Sequence, residues 1–516
     1  MVSKAGYLAL AFLSVLPRLA LGSIISDVTG LLLPNAVCAQ IAGAVSGATD
    51  VYYPGDPDYI IATYHWASSS SQLSACAVVP GTAADVGIIL QIVAANKTPF
   101  AVKGGGHASN PGFSSTSGVH ISMIRFSEVT YDPNSQTAVI GSGLIWDDVY
   151  AALAPFNVNV VGGRVSGVGV GGFTLGGGYS WLTNQYGLTV DTVTAFELVK
   201  PDGQVVTVTE ASDPNLFFGL KGGGNNFGIV TRFTLRTFPQ GQVWGGLITF
   251  TENQIPSVAT ATANFGGNVN DPKASIITTY NFVLGQPGIS QLIFYDGPTP
   301  PSGIFDEFLA IPYFTKDIST RSFLSLVQSS PANFTANNRA IFNTASVLQY
   351  TPELLDVVLN ETVVRQTLSC LIAAASHVPS HYKFWGARLS LQSGVFISYD
   401  VEPFLANIYT HNAQTTAFPP VRTLGLLPFN IYFAWALEAF DDQFHSAAKA
   451  SAAQVANAAI ALGQTAANGA PVYPNYAIYD TPLENLYGGN LPALRSLKTA
   501  VDPGNVMGLA GGFKLA

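Results

Sequence analysis

Charge is what this sequence has least of. Asp, Glu, Lys and Arg make up 10% of the 516 residues, and the net charge is −9. With no basic run to offset that balance, neither a nucleic-acid surface nor an anionic membrane is a natural partner. Cysteine is scarce as well, with only Cys38, Cys76 and Cys370. The chain contains no H-E-x-x-H, and His107 has no His or Cys partner at ligand spacing, which argues against metal binding there. The nucleophile elbow G-x-S-x-G is missing, which argues against a serine hydrolase. Beyond the N-terminal stretch, no apolar run is long and unbroken enough to cross a bilayer.

Apolar side chains and glycine are plentiful. Hydrophobic residues form 48% of the chain, enough to bury large cores, and the length predicts more than one domain. The start, "MVSKAGYLALAFLSVLPRLALGS", has a positive residue, an apolar stretch and small residues near Gly22. It reads as a secretory signal peptide over residues 1–22. Sequons at Asn96, Asn333 and Asn360 suit a glycosylated, secreted chain. In an oxidising compartment, three cysteines allow three single pairings. Cys38 and Cys76 lie close in sequence and are the expected pair, which leaves Cys370 as a buried thiol.

The pattern divides the mature chain. Residues 23–67 precede a glycine-rich α+β region over 68–240. Within it, Thr82 and Asp85 have capping-box spacing, and Val86, Ile89, Leu90 and Val93 mark a helix face. The short strand "PFAV" then leads into "KGGGHASN". Residues 241–465 lose the glycine runs and mix strand-like and helical stretches, which predicts an antiparallel sheet with helices on one face. Residues 466–516 regain turn motifs and end with a helix that Asn490 can cap, stopped by Asp502-Pro503.

Three glycine stretches stand out: "VKGGGHASNPGFSS", "GGRVSGVGVGGFTLGGGYSW" and "LKGGGNNFGIVT". Bare backbone of this kind can approach a ligand closely and present N–H groups to a pyrophosphate. Gly167, Gly169 and Gly172 form a formal G-x-G-x-x-G, but the following "FTLGGG" is a poor continuation for a Rossmann helix. His107, at the end of the first stretch, reads on spacing alone either as a hydrogen-bonding loop residue or as a reactive one.

These stretches, in this order and with "YPNY" and "DPGNV" after them, resemble the vanillyl-alcohol-oxidase type of flavoprotein. The closer likeness is to the berberine-bridge-enzyme-like, oxygen-dependent FAD-linked oxidoreductases. That resemblance implies a PCMH-type FAD-binding domain over 68–240, a substrate-binding domain over 241–465 and a berberine-bridge-like C-terminal segment. It implies that Lys103, Gly104, Gly105, Gly106, His107, Ala108 and Ser109 wrap the FAD pyrophosphate, with His107 bonded covalently to the flavin. Val168, Gly169, Val170, Gly171 and Gly172 would line the cofactor, Ile229 and Val230 its adenine end, and Asn475, Tyr487 and Asn490 the site floor. Many such proteins add a cysteinyl bond, but the matching residue here is Val165, so a single link is expected. A valine matching Val168 implies an oxygen path to the flavin and hence an oxidase making H₂O₂. Tyr476, with Tyr473 beside it, would be the base; the other reading of both is packing against the flavin. The expected substrate is a small alcohol or amine of specialised metabolism, with a carbohydrate as the alternative. A redox-neutral cyclase or a flavin-bearing binding protein is the reading from another class.

Overall fold

The computed structural model describes residues 35–362, 385–412 and 414–515. The expected leader at 1–22 and Cys370 lie outside the described residues.

A small sheet of four strands comes first: β1 (Asp50–Tyr52), β2 (Cys76–Val79), β3 (Phe100–Lys103) and β4 (Val119–Ser122), in the order β1-β2-β4-β3. Strands β2, β4 and β3 run parallel, so β2 and β3 need a crossover, which the helix Ala83–Ala95 supplies. Thr82 caps that helix by accepting from the Asp85 amide at 3.1 Å, and Val86, Ile89, Leu90 and Val93 are fully buried beneath it. The disulfide Cys38–Cys76 ties the helix Ala36–Ala44 to β2. Strand β3 delivers the chain into the first glycine loop at its C-terminal end, the edge where open α/β sheets hold ligands.

The second sheet has five antiparallel strands: β5 (Val129–Asp132), β6 (Thr137–Gly141), β8 (Val193–Val199), β9 (Val205–Val208) and β10 (Ile229–Arg236). Their order is β5-β6-β10-β8-β9. The two-residue strands β7 (Val158–Asn159) and β11 (Phe238–Pro239) pair beside it. The third sheet is larger: β12 (Val243–Thr251), β13 (Ala274–Val283), β14 (Gln286–Tyr295), β15 (Thr315–Arg321), β16 (Arg339–Val347), β17 (Gly394–Val401) and β18 (Leu427–Trp435). All seven pair antiparallel, in the order β15-β12-β14-β13-β17-β18-β16.

Strand alternation gives this sheet two unlike faces. Ile397, Tyr399 and Val401 of β17, with Ile431, Phe433 and Trp435 of β18, are buried against helices that include Ile255–Asn268 and Asp441–Ala461. The alternate residues, among them Ser398, Asp400, Asn430 and Tyr432, face a cavity on the other side. The α+β class and the helix-flanked antiparallel sheet are as expected.

The C-terminal stretch returns to the first sheet, where Ala510 bridges Phe100. The helix Leu491–Val501 buries Leu491 and Leu494. Asn490 occupies its cap position but does not cap it. Its side-chain amide donates to the carbonyls of Thr416 (2.8 Å) and Ala417 (3.3 Å) instead. Among the described residues no helix is long and apolar enough to cross a membrane.

Candidate active site

A cavity of about 660 Å³ lies between the glycine loops and the polar face of the seven-stranded sheet. Its first wall is backbone. A Cβ on Gly105 would stand 2.5 Å from Gly169 Cα, so the first two glycine loops touch backbone to backbone. Only glycine on both sides permits that approach. Gly106 adds a positive φ of +72°, which turns the chain toward His107. The second loop opens the short helix Val170–Leu175, which stops at Gly176.

This wall fits a flavin dinucleotide. It presents bare backbone at Gly104, Gly105, Gly169 and Gly171. It also holds two buried polar atoms without a protein partner, Ser142 Oγ and Asn110 Oδ1. Ile229 and Val230 line the far end together with Gly511 and Gly512 of the returning C-terminus.

The His107 ring lines the cavity and stacks on Trp66, with centroids 4.5 Å apart and planes 11° from parallel. Burial lowers its pKa to about 4, so the imidazole is neutral and one ring nitrogen carries a free lone pair at physiological pH. A neutral, oriented imidazole is the form that can act as a nucleophile.

The second wall carries side chains. Arg164, 8% exposed, donates to Glu402 Oε2 at 2.7 Å and to the Tyr476 oxygen at 2.6 Å. The Tyr476 hydroxyl donates to Glu402 Oε1 at 2.9 Å, which closes a three-membered ring of hydrogen bonds. Burial holds the Tyr476 pKa well above 10; Arg164 works against that shift and Glu402 adds to it. Free tyrosinate is therefore scarce at neutral pH. The geometry instead offers a relay, in which Tyr476 accepts a proton as it passes its own to Glu402. Tyr473 is tied differently: its oxygen accepts from Asn475 Nδ2 (2.9 Å) and the Gly178 amide (3.2 Å), and burial pushes its pKa up to about 12. Tyr473 thus reads as support for Tyr476, whose ring meets it edge-on at 4.9 Å.

Most of the expected site residues converge here. Gly104 to Ser109, Val168, Gly169, Gly171, Gly172, Ile229, Val230, Tyr473, Asn475, Tyr476 and Tyr487 all line the one cavity. Three do not. The alternation of β3 turns Val102 toward the cavity and Lys103 away from it. Lys103 is buried near His65 and His120, and burial lowers its pKa to about 8. Val170 points from the first turn of its helix into the core. Asn490 is occupied with the 416–417 carbonyls. Val165, the residue in place of the expected cysteine, does line the cavity. The three sequon asparagines are exposed.

Sequence reading missed Arg164, Glu402 and Trp66. Arg164 was visible as the cation inside the second glycine stretch. In "SYDVEP", period-2 spacing sets Asp400, near the end of a strand, and Glu402, just past it, on the same side. Nothing local marks Trp66.

Comparison with known proteins agrees with this geometry. Residues 74–209 match the family model of an FAD binding domain. An FAD-linked oxidoreductase of Arthroderma benhamiae is 36% identical over 323 residues, 61% of this chain and 63% of that protein. An FAD-dependent monooxygenase of Aspergillus calidoustus is 37% identical over 307 residues, 58% of each chain. The matched part thus spans about six-tenths of these curated relatives. Among solved structures, BBE-like 1 of Physcomitrella patens superposes with a TM-score of 0.69 at 20% identity, covering 92% of this chain and 97% of that one. Glucooligosaccharide oxidase of Acremonium strictum, which carries a 6-S-cysteinyl, 8α-N1-histidyl FAD, gives 0.71 at 17% identity, covering 92% and 98%. Residues 74–209 carry an FAD binding domain, and the chain has the fold of the berberine-bridge-like flavoproteins.

Proposed function

We propose that the chain is a secreted FAD-linked oxidase that takes hydride and a proton from a small alcohol or amine and delivers the electrons to O₂ as H₂O₂. The observation that carries this reading is the hydrogen-bonded ring of Arg164, Tyr476 and Glu402 in the wall of the glycine-bordered cavity. Bound FAD supplies the two-electron acceptor. The protein's own part is proton handling and orientation. Tyr476 Oη takes the proton of the substrate hydroxyl or amine, and its own proton moves along the 2.9 Å contact to Glu402 Oε1. Arg164 steadies the charge on the phenolic oxygen through its 2.6 Å contact.

His107 is the residue for covalent attachment, and Val165 leaves it as the single link. The leader-like start and the sequons support secretion. The glycine loops and the proton relay disfavour a binding protein without redox turnover.

The test is direct. The full chain is expressed with its leader and denatured in acid, and the precipitate is digested. Yellow colour retained on the peptide containing His107 alone supports the link. Alcohols, amines and sugars are then screened under ¹⁸O₂. Peroxide formed in step with product, and no label in the product, is the expected result. Label in the product would replace the oxidase reading with a monooxygenase, and a sugar as the best substrate would replace the proposed substrate class.

A further inference from the structure

The cavity face of the seven-stranded sheet carries a row of polar residues that the proton relay does not use. Four neighbouring strands contribute one residue each at paired positions: Ser290 opposite Thr279, Thr279 opposite Asp400, and Asp400 opposite Asn430. All four line the cavity. Asn430, 4% exposed, donates from Nδ2 to Asp400 Oδ2 at 2.8 Å. That bond fixes the amide orientation and leaves Asn430 Oδ1 buried with no partner. Asp400 Oδ1 is likewise shielded from solvent and unpartnered.

Two buried acceptors without a donor are costly unless something supplies hydrogens. The described lining also lacks balancing charge. Among the described residues that line it, the ionisable acids and bases apart from His107 and the tyrosines are Arg164, Asp400 and Glu402, and Arg164 already serves Glu402 and Tyr476. A neutral hydroxyl would meet one acceptor and leave the charge of Asp400 uncompensated. A protonated amine brings up to three donors and the missing positive charge. In the next row of the sheet, Ser398 pairs with Tyr432 and Tyr432 with Phe342, whose rings stack 4.7 Å apart. An apolar or aromatic body would lie against that pair.

We propose that Asp400 and Asn430 form a subsite for the ammonium group of an aryl-bearing amine substrate, separate from the group that Tyr476 deprotonates. The subsite rests on the oxidase reading for its place in turnover, but not for binding. Burial and, after it, Glu402 two residues further on raise the Asp400 carboxyl to about 7, with Thr279, Asn430 and Arg164 acting against that rise. An ammonium would remove the cost of ionising it.

The test is calorimetric titration of the full chain as purified, without O₂ and at pH 8, with 2-phenylethylamine and with 2-phenylethanol. The amine is expected to bind about tenfold or more tightly than the alcohol, the scale of a buried charge-assisted contact. Asp400→Asn should bring the two probes within about twofold of each other, and Tyr476→Phe should keep the preference. Equal binding of the two probes, no binding of either, or a preference that survives Asp400→Asn would overturn the proposal. The wild-type comparison needs no variant to fold. Excluding O₂ keeps turnover heat from masking binding, and flavin absorbance followed in parallel reports reduction, so failure of the oxidase reading (no bleaching by any substrate) and failure of the subsite (no amine preference) give different results.

Discussion

On the β3 side of the cavity the chain strips side chains away; on the β17–β18 side it sets them in rows. The first wall is made of contacts such as Gly105 on Gly169, where an added methyl has no room. The second combines the Arg164–Tyr476–Glu402 hydrogen bonds with alternating strand residues such as Asp400 and Asn430. The first wall offers a ligand backbone and shape, and the second offers side-chain chemistry, which the proposed function uses to select and deprotonate a substrate.

The sharpest way to break this contrast is Gly105→Val, which forces atoms into Gly169 Cα. The expected result is near-complete loss of bound flavin, read as absorbance of the purified protein near 450 nm, a wavelength characteristic of oxidised flavins. Next in size, Tyr476→Phe keeps the flavin and slows its anaerobic reduction by substrate by about 100- to 10,000-fold, the range for removing a general base. Stopped-flow reduction checks it, and an unchanged rate would remove Tyr476 from the relay. Glu402→Gln leaves the buried Arg164 without its anion and should cost about 3–5 kcal/mol of stability along with activity. A denaturant titration reads the first part.

The smallest effect sharpens the comparison rather than breaking it, because pH pushes the two walls in opposite directions. On the glycine side, burial lowers His65 and His107 to about 4 and His120 to about 3. As pH falls from about 6.5 toward 4, the unfolded chain binds protons that the native state refuses, so stability is lost. On the sheet side, Asp400 is raised to about 7. Its contribution is complete below about 4 and is lost as pH rises through 7. Asp400→Asn should therefore raise the unfolding temperature at pH 8 and leave it nearly unchanged at pH 4, whereas His120→Asn should blunt the acid loss. Thermal scans across pH measure both.

The same contrast explains what the sequence makes legible. A backbone that must touch another backbone accepts one residue type, so the glycine stretches and His107 announce the cofactor wall in one dimension. The sheet wall depends on register between Thr279, Asp400 and Asn430, which are far apart in the chain. Only its local part, Asp400 and Glu402 at i and i+2, can be read from spacing. Lys103 misleads for the opposite reason. It stands beside the glycines in sequence, yet strand alternation sends it to the other side of β3.

The paired row on the sheet also bears on how such a protein can diversify. Each member sits on its own strand and is held by ladder hydrogen bonds that do not depend on its side chain. On the proposed reading, exchanging one member would change which molecule is admitted and leave the glycine wall untouched. The Gly105–Gly169 contact has no such freedom, because both partners would have to change and neither has an alternative. One half of the cavity is thus a fixed instrument and the other an interchangeable lock, and new substrates are to be sought by varying the lock.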